Sequence, residues 1–122
     1  MIYTVANATR NTTLGRDIIL ANASGQRRTG LLNQESLANG SGLWIMPCEG
    51  VHTFFMRFAI DVIFLDRQNR VRKIRSALRP WRLSACVVAK SVLELPAGTA
   101  EQTQTIVGDQ LVFERALRKP DS

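Results

Sequence analysis

The apolar residues of this 122-residue chain come in short runs separated by turn-forming residues, and that spacing restricts the fold more than any other feature. Ile18-Ile19-Leu20, Leu43-Trp44-Ile45-Met46, Val62-Ile63-Phe64-Leu65, Val87-Val88, Val92-Leu93-Glu94-Leu95 and Leu111-Val112-Phe113-Glu114 are rich in side chains that suit a pleated, half-buried surface. With Ile2-Tyr3 and Val5 they predict many short strands. Val62 to Leu65, apolar throughout, reads as a central strand. Asp66-Arg67-Gln68-Asn69-Arg70 is its hairpin connection, with Asn69 best able to take a positive φ, and Val71-Arg72-Lys73-Ile74-Arg75 returns. On that returning strand alternation sends Arg72 away from Val71 and Lys73. Residues 51–58 alternate in chemistry, which predicts Val51, Thr53, Phe55 and Arg57 on one strand face and His52, Phe54, Met56 and Phe58 on the other. Arg79-Pro80-Trp81-Arg82 reads as a loop, Pro96-Ala97-Gly98 as a sharp turn, and Thr99 to Thr103 as a helical turn.

One segment departs from the strand pattern. Ser24 suits a helix N-cap, Leu31, Leu32 and Leu37 form a rough helical stripe, and Asn39-Gly40-Ser41-Gly42 would stop it. A short helical segment is therefore expected near residues 24–38, with Gly30 allowing two shorter turns. The fold class that follows is α+β, mostly β. The expected shape is a compact β-sandwich or barrel-like single domain over residues 1–116, with a flexible tail over 117–122.

Composition narrows the class further. A hydrophobic fraction of 45% with 21% charged residues is ordinary for a globular domain. No apolar run approaches the roughly 18 residues of a membrane span, so no membrane association is expected. The start, Met1-Ile2-Tyr3-Thr4-Val5, lacks the basic and apolar stretches of a signal peptide, and a cytoplasmic location is expected. Cys48 and Cys86 lie far apart outside any C-x-x-C pattern, and read as two buried thiols.

Charge is distributed unevenly. Arg67, Arg70, Arg72, Lys73, Arg75, Arg79, Arg82 and Lys90 form a stretch with no acidic residue, leaving eight basic and ten acidic residues elsewhere. The whole net charge of +6 is thus local to that stretch. Such a field attracts anions. Arg70, Arg72, Arg75, Arg79 and Arg82 with Trp81 combine cations with an aromatic in the way that can grip a phosphodiester chain and stack a base. The plainer account is a solvated edge whose charges discourage strand-to-strand association.

Four segments fall in the order and spacing of one known pattern. They are Arg28-Thr29-Gly30-Leu31-Leu32; Val51-His52-Thr53-Phe54-Phe55-Met56 with Ile60-Asp61-Val62-Ile63-Phe64-Leu65-Asp66; Val92-Leu93-Glu94-Leu95-Pro96-Ala97-Gly98; and Gly108-Asp109. From roughly residue 5 to residue 115 the chain resembles the small prokaryotic family catalogued as domain of unknown function 192. That resemblance implies a single β-rich, sandwich-like domain with a helical segment in its N-terminal part, and no established activity, cofactor or substrate. Many members look exported behind a signal peptide, whereas this chain starts directly at the domain. Phe55 stands where the family usually has Trp, and Asn69 where Gly commonly makes the hairpin turn.

Chemistry-bearing residues are sparse. Met46, Cys48, His52 and Met56 are soft ligand types suited to Cu(I), but on one strand His52 and Met56 would lie roughly 13 Å apart. Core filling by the methionines accounts for them equally well. Cys48, His52 and Asp61 supply the types for a metal or hydrolytic site without any local nucleophile signature. Asp61 interrupts an apolar run, so a partner is required, either an Arg or backbone amides it caps. Glu94, between Leu93 and Leu95, raises the same question. No cofactor motif is present.

The leading expectation is therefore a non-enzymatic module that engages a small ligand or protein partner near the central motif 51–66, through His52, Phe54, Phe55, Met56 and Asp61. The first alternative is anion or nucleic-acid binding through residues 70–82. The second is metal or hydrolytic chemistry at Cys48, His52 and Asp61.

Overall fold

The computed structural model describes residues 1–21 and 36–116. Among the described residues there are nine strands: β1 (Ile2–Asn7), β2 (Thr12–Ala21), β3 (Ser41–Ile45), β4 (Gly50–His52), β5 (Ile60–Leu65), β6 (Val71–Leu78), β7 (Leu83–Ala85), β8 (Ser91–Pro96) and β9 (Leu111–Arg115). One short helix, α1 (Thr99–Gln102), follows β8. Seven strands form a sheet in the order β6-β5-β8-β3-β2-β1-β9, and β4 and β7 pair as a separate ribbon. Neighbours in the large sheet are antiparallel except β2 and β3, which run parallel. A parallel pair requires a crossover, which here is the connection between residues 21 and 41. The expected helix near 24–38 falls in that connection. Residues 22–35 lie outside the described residues, and 36–38 are not helical.

The two ends of the strand order meet. Arg70 bridges Gln110, the Val71 N–H donates to the Asp109 carbonyl at 2.9 Å, and the Leu111 N–H donates to the Asn69 carbonyl at 3.0 Å. The sheet therefore curls until the start of β6 touches the start of β9. This is the barrel-like form of the expected mostly β fold. Curling encloses one core: Val5, Leu14, Ile18, Trp44, Ile63, Leu65, Val71, Leu93, Leu95 and Leu111. The opposite face of β3, β5 and β8 contributes Leu43, Ile45, Ile60, Val62, Phe64 and Val92 to a second core, completed by Val51, Met56, Leu78 and Ala89. The apolar runs of β5 and β8 follow from burial on both faces, since every residue of each is buried.

Close packing leaves no room for a side chain at Gly42. A Cβ there would collide with the Glu94 carbonyl oxygen on the adjacent strand and lie 2.9 Å from a Leu95 methyl. Asp61, fully buried on β5, accepts from the Ala77 N–H and the Ala100 N–H, both at 2.8 Å. One carboxylate thus holds a bulge in β6, where Ala77 has φ 49°, and the first turn of α1.

Several strand expectations require correction. The alternation over 51–58 is not a strand: β4 ends at His52, and the chain turns through 53–56, with the Met56 N–H donating to the Thr53 carbonyl at 3.2 Å. Phe55 takes φ 67°, a conformation its residue type does not advertise. The separation of roughly 13 Å expected between His52 and Met56 on a common strand therefore does not apply. Val87-Val88 is an exposed turn, and the strand beside it is the short Leu83–Ala85. Val71 and Lys73 do not share a face either. Leu65 pairs with Val71 but Phe64 with Lys73, so Arg72 is an extra residue and the alternation changes sides there. Asn69 does take the positive φ expected, at 63°.

Candidate functional site

The ribbon sets the geometry of the largest exposed aromatic cluster among the described residues. Gly50 pairs with Ala85, Val51 with Ser84 and His52 with Leu83, so the chain leaving β4 and the chain approaching β7 lie side by side. Thr53 continues the join. Its N–H donates to the Arg82 carbonyl at 2.9 Å, and its own carbonyl accepts from the Trp81 N–H at 3.0 Å. The Thr53 hydroxyl donates to the Arg79 carbonyl at 2.6 Å and accepts from the Arg82 N–H at 2.9 Å. Four hydrogen bonds from one buried residue tie the turn at 53–56 to the loop at 79–82.

Four rings converge there. Phe55 and Trp81 lie 4.6 Å apart between ring centroids, Phe54 and Trp81 stack at 5.7 Å and 27°, and His52 lies 5.0 Å from Phe54. Two of the rings are not buried for packing: Phe55 is 68% exposed and Trp81 56%, and the adjacent Leu83 is 68% exposed. Both Phe55 and Trp81 sit in the left-handed region, at φ 67° and 63°. That conformation costs roughly 1–2 kcal/mol for an L residue, and bulky side chains seldom adopt it. Strain of this kind collects at functional positions. Arg57, Arg79 and Arg82 are exposed on the same two loops.

A shallow groove of about 580 Å³ opens beside the cluster. His52 and Leu83 stand on its ribbon side, and Lys73 and Arg75 of β6 on the other. Lys73 is half-buried; its ammonium donates to the Ala85 carbonyl at 2.8 Å and lies 5.7 Å from the centre of the Phe64 ring.

The fold therefore unites two sets of residues that the sequence kept apart. His52, Phe54 and Phe55 join Trp81, Arg79 and Arg82, with Arg75 along the groove. Met56 lies in the core beneath, and Asp61 is occupied by the two backbone amides in the sheet. Arg70 and Arg72 lie at the other end of β6, donating to the Gly108 carbonyl at 3.2 Å and to Asp66 at 3.4 Å. Cys48 donates to the Gly50 carbonyl at 3.0 Å, and His52 Nδ1 accepts from the Phe54 N–H at 3.3 Å. Among the described residues no group of three or more His, Cys, Asp or Glu is placed to hold a metal ion. Thr53 and Leu83 went unnoticed in the sequence. Thr53 looked like an ordinary strand position, and Leu83 belongs to a strand too short to signal itself.

With this geometry in hand, comparison with known proteins decides kinship. Residues 5–113 match the family domain of unknown function 192, described as Uncharacterized ACR. The chain belongs to that family. A UPF0127 protein of Pyrococcus horikoshii is 29% identical over 113 residues, covering 88% of this chain and 96% of the relative. A UPF0127 protein of Thermococcus sibiricus is 36% identical over 78 residues, which span 59% of this chain and 50% of that protein. Two crystal structures share the fold, each with a TM-score of 0.75. One, from Sinorhizobium meliloti and provisionally described as a transcription regulator, is 22% identical and covers 91% of both chains. The other, a protein of unknown function from Novosphingobium aromaticivorans, is 21% identical and covers 90% of this chain and 82% of its own. Among the described residues no helix is long and apolar enough to cross a membrane.

Proposed function

We propose that this family member is a non-enzymatic binding module, and that it docks its ligand or partner on the face built from His52, Phe54, Phe55 and Trp81, flanked by Arg79 and Arg82. One observation carries the reading: two large aromatic residues are held exposed, in contact, and in a backbone conformation that opposes their side chains. Burying those rings in the core would be the ordinary use of such residues. Exposed aromatics flanked by arginine are the types that supply most binding energy at recognition surfaces. Met56 and Asp61, from the same motif, would act beneath this face by supporting it. A cytoplasmic setting suits the two thiols, Cys48 and Cys86.

The test is an NMR titration of the isotopically labelled chain with a panel: short oligonucleotides, acidic peptides, neutral oligosaccharides and anionic vesicles. The reading expects at least one to shift amides of residues 52–55 and 79–83, and F55A to abolish that shift. Binding that maps elsewhere, or a silent panel, overturns it.

A further inference from the structure

The docking face carries a further clue in the way its charges are placed relative to its rings. An aromatic surface, with Trp81 stacked on Phe54 and Phe55 tilted against Trp81, lies at one end of a groove. His52 and Leu83 mark where the groove begins, and Lys73 and Arg75 line its far wall. Arg79 and Arg82 flank the rings. No acidic residue occurs between Arg67 and Lys90, so neither the loop at 79–82 nor β6 carries an acidic residue of its own.

Resting on the docking reading above, we propose that the occupant is single-stranded nucleic acid, with bases on Phe55 and Trp81 and the phosphate backbone passing Arg79 and Arg82 toward Arg75 and Lys73. The ligand must offer both flat π faces and repeated negative charge, because the protein supplies rings and cations within one track. An unpaired strand has both at every nucleotide. A duplex does not fit, since its bases are stacked on one another and cannot reach the rings. A bilayer meets the exposed tip, Phe55, Trp81 and Leu83, but its flat surface does not reach Lys73, which is half-buried in the groove with its ammonium on the Ala85 carbonyl. A thin polyanion does. An acidic peptide matches the charges and leaves the ring faces unused.

Fluorescence anisotropy with labelled oligothymidylate and oligouridylate of about ten nucleotides tests this directly. Binding is expected at about 50 mM salt and is expected to weaken steeply toward about 200 mM. F55A, which changes an exposed side chain, should weaken it about 5- to 150-fold, the range of one lost base stack. R79A/R82A should lower the slope of log affinity against log salt by about 1.4, at about 0.7 per phosphate contact on a single strand. R16A/R115A removes the same charge elsewhere and should leave the slope unchanged. The proposal is overturned if neither oligomer binds at low salt, or if binding ignores both F55A and R79A/R82A. Vesicles of equal parts phosphatidylcholine and phosphatidylserine, and polyglutamate, serve as competing probes. If one of these binds in an F55A-sensitive manner while the oligomers do not, nucleic acid is wrong and the docking face stands. If nothing binds there, both fall.

Discussion

The Thr53 hydroxyl donates to the Arg79 carbonyl across 26 residues of sequence at 2.6 Å, and the loop that presents Trp81 is hung from that bond. The same oxygen accepts from the Arg82 N–H. T53V preserves the volume and strands both backbone groups in a partly buried place. Leaving such groups unmet costs about 2 kcal/mol in total. A fall of roughly 8 °C in the thermal midpoint is expected for a domain of this size. T53S keeps the oxygen and should recover most of it. Equal behaviour of the two variants in a thermal melt would show that the hydroxyl does not hold the loop.

Phe55 permits a cleaner separation of contact from backbone. F55A and F55G both remove the ring and its contact with Trp81, but only glycine is comfortable at φ 67°. F55G should therefore be more stable than F55A by about 1 kcal/mol, although glycine has the looser unfolded chain. Urea denaturation of the pair measures the difference. Were alanine the more stable of the two, the strained backbone at this position would be disproved.

Much of this architecture was legible because the central strands announce themselves. Val62 to Leu65 and Val92 to Leu95 are buried on both faces, so burial needs no alternation there and the apolar runs are direct signals. The hairpin at Asn69 was legible for a local reason too, since asparagine tolerates a positive φ. The turn at Phe55 was not, because nothing in a phenylalanine signals that conformation and the flanking residues alternate as a strand would. Parts of the candidate site were visible within two wider sets, His52 to Asp61 and Arg70 to Arg82, although Asp61, Arg70 and Arg72 lie elsewhere in the fold. What joined them was the pairing of His52 with Leu83 and the bonds of Thr53, long-range relationships with no local signature. Asp61 could be recognised as needing partners, but Ala77 and Ala100 offer only backbone, and backbone partners leave no trace in residue types.

Asp61 provides the next test. Its two oxygens accept from amides 16 and 39 residues downstream, inside the sheet. D61N is nearly isosteric but turns one acceptor into a donor facing an N–H. That substitution should cost about 3 kcal/mol, the loss of one charge-assisted bond plus an unmet buried donor. Hydrogen exchange should show the damage at Ala77 and Ala100 before the rest of the sheet. Unchanged protection at both amides would mean that the carboxylate does not pin them.

Asp109 contributes to the acid sensitivity of the fold. Burial pushes its carboxyl up, but the Asn7 amide at 2.9 Å, the Ile106 N–H at 3.0 Å and the Arg10 guanidinium at 3.1 Å more than offset that. Its pKa is therefore held below the ordinary carboxylate value. A depressed native pKa means that the unfolded chain binds the proton more readily. The stabilisation is accordingly complete above the unfolded value of about 3.9 and is lost as pH falls below it through the native one. Asp66, where burial is likewise outweighed by the Arg70 and Gln68 amides and Arg72, acts in the same direction. D109N should lower stability at neutral pH by about 2 kcal/mol, because the Asn7 and Arg10 donors lose a charged acceptor. It should also make the decline below about pH 4 shallower without abolishing it, since Asp66 remains. Denaturant midpoints of wild type and D109N between pH 7 and pH 2.5, roughly the window set by carboxylate titration, measure both effects. Parallel curves, with the same slope below pH 4, would mean that Asp109 is not among the groups whose protonation unfolds the chain in acid.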